Sequence, residues 1–227
     1  MFNVGVDNNA VNDNNVAGDY IDARVGDMQT RRYHHGDLRA ALLSRAEQTL
    51  RERGSGALSL RELARDLGVS HAAPSRHFKD KQALLDALAL VGFDRMLEVL
   101  TAAREEGSSF TERLGALARA YVGFATANAE LLDLLYAVKH DPAASRALLE
   151  AVHRAVALAE ELIAEGQRTG EVRPGPVDRV SMPVFTTLHG FAGLAVSSML
   201  SPEETEAGLG DVIAYMLRGC AAEGDRN

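Results

Sequence analysis

Apolar residues recur at helical spacing along almost the whole chain after residue 36. Leu38, Leu42, Ala46 and Leu50 form the first such stripe, because residues three and four positions apart share one face of an α-helix. No run of alternating β-branched residues, which would indicate a strand, is convincing. The sequence therefore predicts an all-α protein of about nine helices, with three in an N-terminal head and six in a C-terminal body. The predicted N-termini of body helices are Asp80, Ser109, Asp141 with Pro142, and the segment Ser201–Glu204.

Two short helices joined by a tight turn are predicted within residues 58–78. Ser59 and Glu62 have the spacing of a capping box, which starts a helix that Gly68 ends. Ser70 is placed to cap the next helix, over residues 71–78, and Pro74 falls early enough in that helix to be tolerated. This arrangement is a helix-turn-helix, whose second helix enters the major groove of DNA.

The formal net charge of −8 conceals two oppositely charged regions. Residues 31–81 hold eleven basic and six acidic side chains, a net charge of +5, whereas the rest of the chain carries −13. A basic module on an acidic protein is typical of a chain in which one part binds a polyanion. The alternatives to DNA binding are a solvated charged face or a three-helix head that binds another protein.

Residues 58–88, LSLRELARDLGVSHAAPSRHFKDKQALLDAL, resemble the DNA-binding domain of the tetracycline-repressor (TetR/AcrR) family. The shared order is a helix, a Gly-Val-Ser turn, a short helix ending in Arg-His-Phe, and Lys-Asp-Lys before a Leu-rich helix. The segments YHHGDL (33–38) and LHG (188–190) resemble the subgroup whose C-terminal domain is named for a Trp-His-Gly motif. The resemblance covers about residues 31–222, and it departs from the pattern at Ser75, usually Tyr, and at Leu188, the subgroup's Trp.

The resemblance implies a homodimeric repressor that binds a palindromic double-stranded DNA operator and responds to a small-molecule effector. In the family, residues matching His71, Ala72 and Ala73 face the groove, and those matching His77 and Lys81 contact phosphates. Serine in place of Tyr at position 75 is expected to weaken DNA binding rather than abolish it. The full predicted set of DNA contacts is Arg32, Ser59, Ser70, His71, Ala72, Ala73, Ser75, Arg76, His77 and Lys81.

Three segments are expected: a disordered tail over residues 1–29, a DNA-binding domain over 30–79, and a ligand-binding and dimerisation domain over 80–222. In the family a ligand enters the body and tilts the helix that corresponds to residues 80–103. The apolar and aromatic side chains of the body suggest a small hydrophobic or aromatic effector. Each candidate lining residue has packing in the core as its alternative role. The predicted lining is Phe93, Met96, Phe110, Tyr121, Phe124, Tyr136, Phe185, His189 and Phe191, with Tyr121, Tyr136 and His189 as the polar contacts.

A homodimer follows from geometry as well as from the resemblance. One short recognition helix reads too few base pairs, and a two-fold axis places two of them about 34 Å apart on a palindrome. The helix predicted over residues 178–200 and the last helix are the interface candidates, with burial inside one subunit as the alternative. The predicted interface residues are Ala192, Gly193, Leu194, Ala195, Ser197, Met199, Val212, Ile213 and Met216.

No catalytic, cofactor or metal site is assembled by spacing in this sequence. Glu150 and His153 form a Glu-x-x-His pair, but the second copy required by a di-iron bundle is missing. The single cysteine, Cys220, cannot form an intrachain disulfide, which fits a reducing bacterial cytoplasm, with the DNA-bound protein on the nucleoid. Residues 180–202 are uncharged, but their Pro, Gly, Ser and Thr content favours burial within protein over a membrane span.

Three functions are left open by the sequence. The first is a ligand-responsive DNA-binding repressor, the second a DNA-binding regulator without an inducer, and the third a helical binding or catalytic bundle with a degraded DNA-binding head. A steep salt dependence of DNA affinity would separate the third from the others. Release of DNA by a bound small molecule would separate the first from the second.

Overall fold

The computed structural model describes residues 35–139, 142 and 144–222. Within these ranges all regular secondary structure is helical apart from one isolated antiparallel bridge between Val172 and Ala221, which confirms the all-α prediction. The predicted tail over residues 1–29 lies outside the described residues. The eight α-helices are α1 (His35–Arg53), α2 (Leu60–Asp66), α3 (Lys81–Glu105), α4 (Phe110–Ala127), α5 (Ala129–Lys139), α6 (Arg146–Thr169), α7 (Val177–Val196) and α8 (Pro202–Cys220).

Helix ends lie where short polar side chains satisfy the first free backbone N–H groups. Asp80 Oδ1 accepts from the amide of Ala83 at 2.8 Å and starts α3, as predicted. Ser201 and Glu204 form the predicted reciprocal capping box of α8. The predicted turn after α2 is confirmed as well, since Gly68 has a φ of 66°, a left-handed conformation that favours glycine.

The capping box predicted at Ser59 is absent. The backbone of Ser59 has the extended conformation of an N-cap residue, but its hydroxyl makes no capping hydrogen bond. The carboxylate of Glu62 lies 3.9 Å from the guanidinium of Arg65 one turn later, instead of reaching back to Ser59. Helix α2 therefore starts at the predicted position without the predicted side-chain cap.

Helix α6 starts later than predicted. Asp141 lies outside the described residues, and the cap is Ser145, whose hydroxyl accepts from the amide of Leu148. The backbone N–H of Ser145 donates to Asp86 of α3 at 2.9 Å, so a tertiary contact selects this start. Helix α7 also ends at Val196 rather than near residue 200, because Ser198 adopts a φ of 58° that an α-helix cannot continue through.

The recognition segment, residues 70–78, differs most from its predicted form. Instead of a regular helix over residues 71–78, the structure has a short 3₁₀ turn, Pro74–Arg76. Pro74 has no N–H to donate to the carbonyl of Ser70, and that carbonyl accepts from the amide of Ala73 at 2.9 Å instead. The proline therefore favours a 3₁₀ turn over an α-helix in this segment. As a result, the described residues contain eight α-helices rather than about nine.

Helix α3 connects the head to the body. Its first turn follows the recognition segment, and farther along it packs against α4, α5 and α6. The head core lies beneath the recognition segment, where Leu42, Leu63, Pro74 and Phe78 are all buried. A single hydrophobic core continues from these residues into the body.

No helix in the described part of the chain is long and apolar enough to cross a membrane. This includes α7, which covers most of the uncharged stretch over residues 180–202. Val180, Leu188 and Ala192 of α7 are buried inside the protein. The burial of this helix agrees with the sequence interpretation.

Candidate DNA-binding surface and body cavity

One side of the recognition segment packs against the head core, and the other side is exposed to solvent. Pro74 and Phe78 are buried in the head core, and the guanidinium carbon of Arg39 lies 5.4 Å from the ring centroid of Phe78. This anchoring fixes the backbone of the segment while its polar side chains face outward. Of the predicted DNA contacts, Ala73 and His77 are partly buried, whereas Ser70, His71, Ala72, Ser75 and Arg76 are exposed.

The ring of His77 is only partly available for the predicted phosphate contact. Its Nε2 atom is buried and has no hydrogen-bond partner among the described residues. In this conformation a phosphate contact by His77 would have to use Nδ1.

Acidic side chains of the head are neutralised within the protein. Glu47 lies 3.7 Å from Arg51, and Asp66 lies 2.9 Å from Arg45. The head's basic residues are therefore not equally available to a partner. In the described part of the chain, Arg61, Arg76 and Lys79 form no ion pair, and all three are exposed.

Lys81 and Ser59 are brought to neighbouring loops. The Lys81 ammonium donates to the carbonyl of Gly56 at 3.1 Å, which ties the start of α3 to the turn before α2. Ser59 begins α2 three residues after Gly56, and its hydroxyl is not used for capping. Arg32, the remaining predicted contact, lies outside the described residues.

Sequence reasoning did not single out Arg61 or Lys79. Arg61 lies in the first turn of α2, and Lys79 immediately precedes the Asp80 cap. Their common signal is a basic residue beside a helix N-terminus, where backbone N–H groups already favour a phosphate.

The body encloses a cavity of about 110 Å³ between α3, α4, α5, α6 and α7. Five predicted residues line it: Phe93, Met96, Tyr121, Tyr136 and Phe185. The other walls are mostly aliphatic. Two lining side chains are also exposed at the surface, Val156 at 45% and Phe185 at 40%, which places an opening between α6 and α7.

Tyr121 of α4 and Tyr136 of α5 line this cavity, and both contact His189 of α7, which is not part of the wall. The hydroxyls of Tyr121 and Tyr136 are 2.6 Å apart, and the hydroxyl of Tyr121 is 2.9 Å from Nδ1 of His189. The His189 ring stacks on Phe185 with centroids 5.6 Å apart and lies 4.1 Å from the ring of Tyr136. The structure thus joins the three residues predicted as polar contacts, and Tyr121 is the central member of the chain.

Both tyrosines stay neutral at ordinary pH. Burial raises the pKa of Tyr121 above its usual value, with the hydrogen bond to Tyr136 acting in the opposite direction. Burial also raises the pKa of Tyr136, and the nearby Tyr121 raises it further. The cavity therefore presents hydroxyl groups rather than phenolate anions.

Four predicted lining residues are not in the cavity wall. One is His189, which contacts the two lining tyrosines, and the other three are phenylalanines. Phe110 packs at the start of α4 against Gly166, where an added Cβ would come within 2.9 Å of its ring. Phe191 lies near Gly208 of α8, and Phe124 is buried in the core away from the cavity. Aromatic type predicted burial but not which interhelical space each ring fills.

Polar contacts fasten α3 along its length. Asp86 is buried and accepts from the amide of Ser145 and from the side-chain amide of Gln82, each at 2.9 Å. This carboxylate links α3 to the N-terminus of α6. Residues farther along α6 line the cavity. The ion pairs of α3 in the described residues are Arg95 with Glu47 of α1, Asp94 with Arg154 of α6, and Arg104 with both Glu161 and Glu165 of α6.

The predicted dimer residues divide into three groups by exposure. Ala192, Ile213 and Met216 are buried inside this chain, between α7 and its neighbours, so they have no surface to offer a partner and their assignment is corrected. Ala195 and Val212 are half-buried. The exposed members are Gly193, Leu194, Ser197 and Met199, and the same two helices expose Met182 and Tyr215, which the sequence analysis did not name.

Among the described residues, no group of three or more His, Cys, Asp or Glu side chains is arranged to hold a metal ion. Glu150 instead pairs with Arg146 at 2.8 Å, and His153 is exposed. Cys220 is buried, and this burial raises the pKa of its thiol.

Comparison with known proteins gives two family matches. Residues 42–88 match the profile described as bacterial regulatory proteins of the tetR family, and residues 114–219 match the tetracyclin repressor-like C-terminal domain. The HTH-type transcriptional regulator Rv1816 of Mycobacterium tuberculosis H37Rv is 29% identical over 156 residues, which cover 66% of this chain. The chain spans 64% of the length of that relative.

Solved structures share the fold. A protein of unknown function from Rhodococcus sp. RHA1 superposes with a TM-score of 0.78 at 46% identity, covering 84% of this chain and 99% of that one. A regulatory protein of the tetR family from Rhodococcus RHA1 superposes with a TM-score of 0.65 at 20% identity, covering 81% and 97%. With a helix-turn-helix head and a helical body in place, these matches assign the chain to the tetracycline-repressor family, whose members are DNA-binding transcriptional regulators and not enzymes.

Proposed function

We propose that this regulator is a repressor that leaves a palindromic operator when a small hydrophobic or aromatic molecule binds in the body cavity. The observation that supports this most directly is the position of α3. The same helix starts beside the recognition segment and lines the cavity with Phe93 and Met96. A molecule in the cavity therefore touches the element that positions the DNA-binding head.

The DNA contacts follow from exposure and from charge pairing. His71 and Ala72 are exposed at the start of the recognition segment, where base edges would be read. Arg76, Arg61 and Lys79 carry the exposed, unpaired positive charge that would hold phosphates. Lys81 and Ser59 extend this proposed backbone contact to the loops that flank α2.

The coupling is a population shift between two positions of α3. An effector that fits the cavity better when α3 is displaced from α6 favours the displaced form. That displacement costs the contacts of Asp86 with Ser145 and of Asp94 with Arg154. The ligand must therefore bind the DNA-incompetent form more tightly, because equal affinity for both forms shifts nothing.

The remaining parts of the proposal concern assembly and location. A homodimer about the exposed surface of α7 and α8 would present two heads to successive major grooves. In this arrangement residues 30–79 bind DNA, and residues 80–222 bind the ligand and the second copy. The protein would act in the bacterial cytoplasm, on the nucleoid when bound to DNA.

The test is selection of binding sites from a random DNA pool with the purified chain, followed by titration of salt on the selected site. We expect a palindromic site and a log–log salt slope of about −0.9 for each neutralised phosphate. Enrichment of a site that no cavity-binding molecule releases would favour a regulator without an inducer. No enrichment at low salt would favour a helical bundle with a degraded head, in which Ser75 no longer supports DNA binding.

A further inference from the structure

The cavity limits its occupant to about one ring. Its volume is about 110 Å³, and an engineered apolar cavity of about 150 Å³ is known to hold benzene. Phe93, Tyr136 and Phe185 contribute aromatic rings to the wall, which suits edge or face contact with another ring. A para substituent on such a ring has room to extend, because the cavity opens between Val156 and Phe185.

The wall favours an uncharged molecule. Of the lining residues in the described part of the chain, none is Lys, Arg, Asp or Glu. An ionised carboxylate placed there would lose its hydration without gaining an ion pair from these residues, which is strongly unfavourable. The third polar side chain of the wall, Ser181, already donates to the carbonyl of Asp178 on its own helix.

The hydroxyl of Tyr121 sets the polarity of the contact. A phenolic hydroxyl has one proton and two lone pairs, and this one contacts both the Tyr136 hydroxyl and Nδ1 of His189. When Tyr121 donates its proton to either neighbour, it accepts from the other, and one lone pair is left over. A further partner must then be a hydrogen-bond donor.

We propose that the cavity selects a small, uncharged aromatic alcohol or phenol, whose hydroxyl donates to Oη of Tyr121. This inference rests on the proposed function, since it names the chemical class of the effector for the same cavity. The ring fills the aliphatic and aromatic part of the cavity, and the hydroxyl extends the chain Tyr136–Tyr121–His189 by one member. Tyr121 is thereby the specificity-determining residue.

Four para-substituted toluenes test the proposal on the full-length chain by isothermal titration calorimetry near pH 7. They are p-cresol, which donates, 4-fluorotoluene, which has no donor, 4-methylanisole, which only accepts, and p-toluate, which is anionic. We expect p-cresol to bind about tenfold more tightly than 4-fluorotoluene or 4-methylanisole, as one buried hydrogen bond requires. The carboxylate of p-toluate should weaken binding at least about a hundredfold.

Variants assign the preference to one atom. In Tyr121→Phe, p-cresol and 4-fluorotoluene should bind with about equal affinity, because p-cresol loses its hydrogen bond while the affinity for 4-fluorotoluene is unchanged. Tyr136→Phe should retain the preference, because Tyr121 keeps a lone pair, and this variant also serves if Tyr121→Phe does not fold. The matched control is Thr111→Val, which also removes one hydroxyl but from an exposed position of α4 outside the cavity wall, and it should change no affinity.

Contrary outcomes are distinguishable. Tighter binding of 4-methylanisole than of p-cresol, or a p-cresol preference that survives in Tyr121→Phe, would overturn the donor assignment while leaving the cavity as an effector site. Tighter binding of p-toluate would overturn the uncharged class. If none of the four molecules binds at millimolar concentration, the effector site of the proposed function is itself wrong.

Discussion

The head and the body use charge and apolar surface in opposite ways. In the head, Asp66 is paired with Arg45, and Glu47 is paired with Arg51 and with Arg95 of α3. Arg61 and Arg76 are left exposed and unpaired in the described part of the chain. The body has the excess of acid, yet its interior holds a cavity whose described lining carries no charged side chain. A positive surface therefore depends less on net charge than on which charges are already paired.

The two regions also differ in how tightly they are packed. The head buries Pro74 and Phe78 beneath a short rigid turn, whereas the body keeps unfilled space beside Tyr121 and Phe93. A surface that reads DNA needs fixed positions, and a site that binds an effector needs room.

The largest expected effect is in the head core. Phe78→Ala should lower the free energy of unfolding by about 3–5 kcal/mol, because it removes a buried ring beneath the recognition segment. Urea denaturation measures the loss. Phe185→Ala, on the rim of the cavity, should cost about 1 kcal/mol or less at its 40% exposure, and equal losses in the two variants would contradict the contrast in packing.

A double change on the head surface should act on DNA alone. Arg61→Ala with Arg76→Ala should weaken binding to the selected site about a hundredfold, about tenfold for each lost charged contact. The salt slope should become shallower by up to about two units. Arg168→Ala is the matched control, since Arg168 is exposed at the end of α6 and forms no ion pair in the described part of the chain. An equal loss in the control would mean that total charge, rather than the head surface, governs binding.

The link between the regions should be weakened by Asp86→Asn. The amide would turn an N–H donor towards the Ser145 amide or the Gln82 side chain, which costs about 1–2 kcal/mol of stability. A thermal melt measures this cost, and the affinity for the selected site should fall as the displaced position of α3 gains population. Asp94→Asn, in an exposed pair with Arg154, should change stability by about 0.5 kcal/mol or less. If both variants behave alike, Asp86 has no special part in holding α3 to α6.

The smallest expected effect is a pH dependence between α1 and α3. The hydrogen bond from Arg95 lowers the pKa of Glu47, so its stabilising contribution is fully present above the unfolded value of about 4.3. That contribution is lost as the pH falls through the lower folded pKa. Glu47→Gln should therefore flatten the acid side of the stability curve measured by urea denaturation from pH 6 to 3. Glu52→Gln, exposed and 3.8 Å from Arg45, should leave the curve close to that of the parent chain.

Helix ends were predictable where one side chain decides them. Asp80, Ser109 and Ser201 cap their helices as expected, because each contact spans only three residues. Ser59 and Ser145 were not predictable in the same way. At Ser59 the helix starts where expected, but the hydroxyl makes no capping hydrogen bond. At Ser145 the backbone N–H donates to Asp86 of α3, a long-range contact that spacing does not reveal.

The candidate sites show the same limit. Tyr121, Tyr136 and His189 were expected as polar groups of a ligand site, and the structure joins them by hydrogen bonds across three helices. Phe110, Phe124 and Phe191 had equal apolar character but fill other spaces, because helix rotation and neighbouring glycines decide where a ring fits. Pro74 was recognised in the sequence, yet its effect on the carbonyl of Ser70 required the backbone to be seen.

In the proposed mechanism, helix α3 would act as a stiff lever whose arm is set by its length. Its 25 residues, from Lys81 to Glu105, span about 36 Å at 1.5 Å per residue. A pivot of about 5° around the Arg104 end would swing the Lys81 end by about 3 Å, nearly the rise of one base pair. A shift too small to disrupt the packing around a single ring would thus become a misalignment that a regularly spaced double helix cannot absorb.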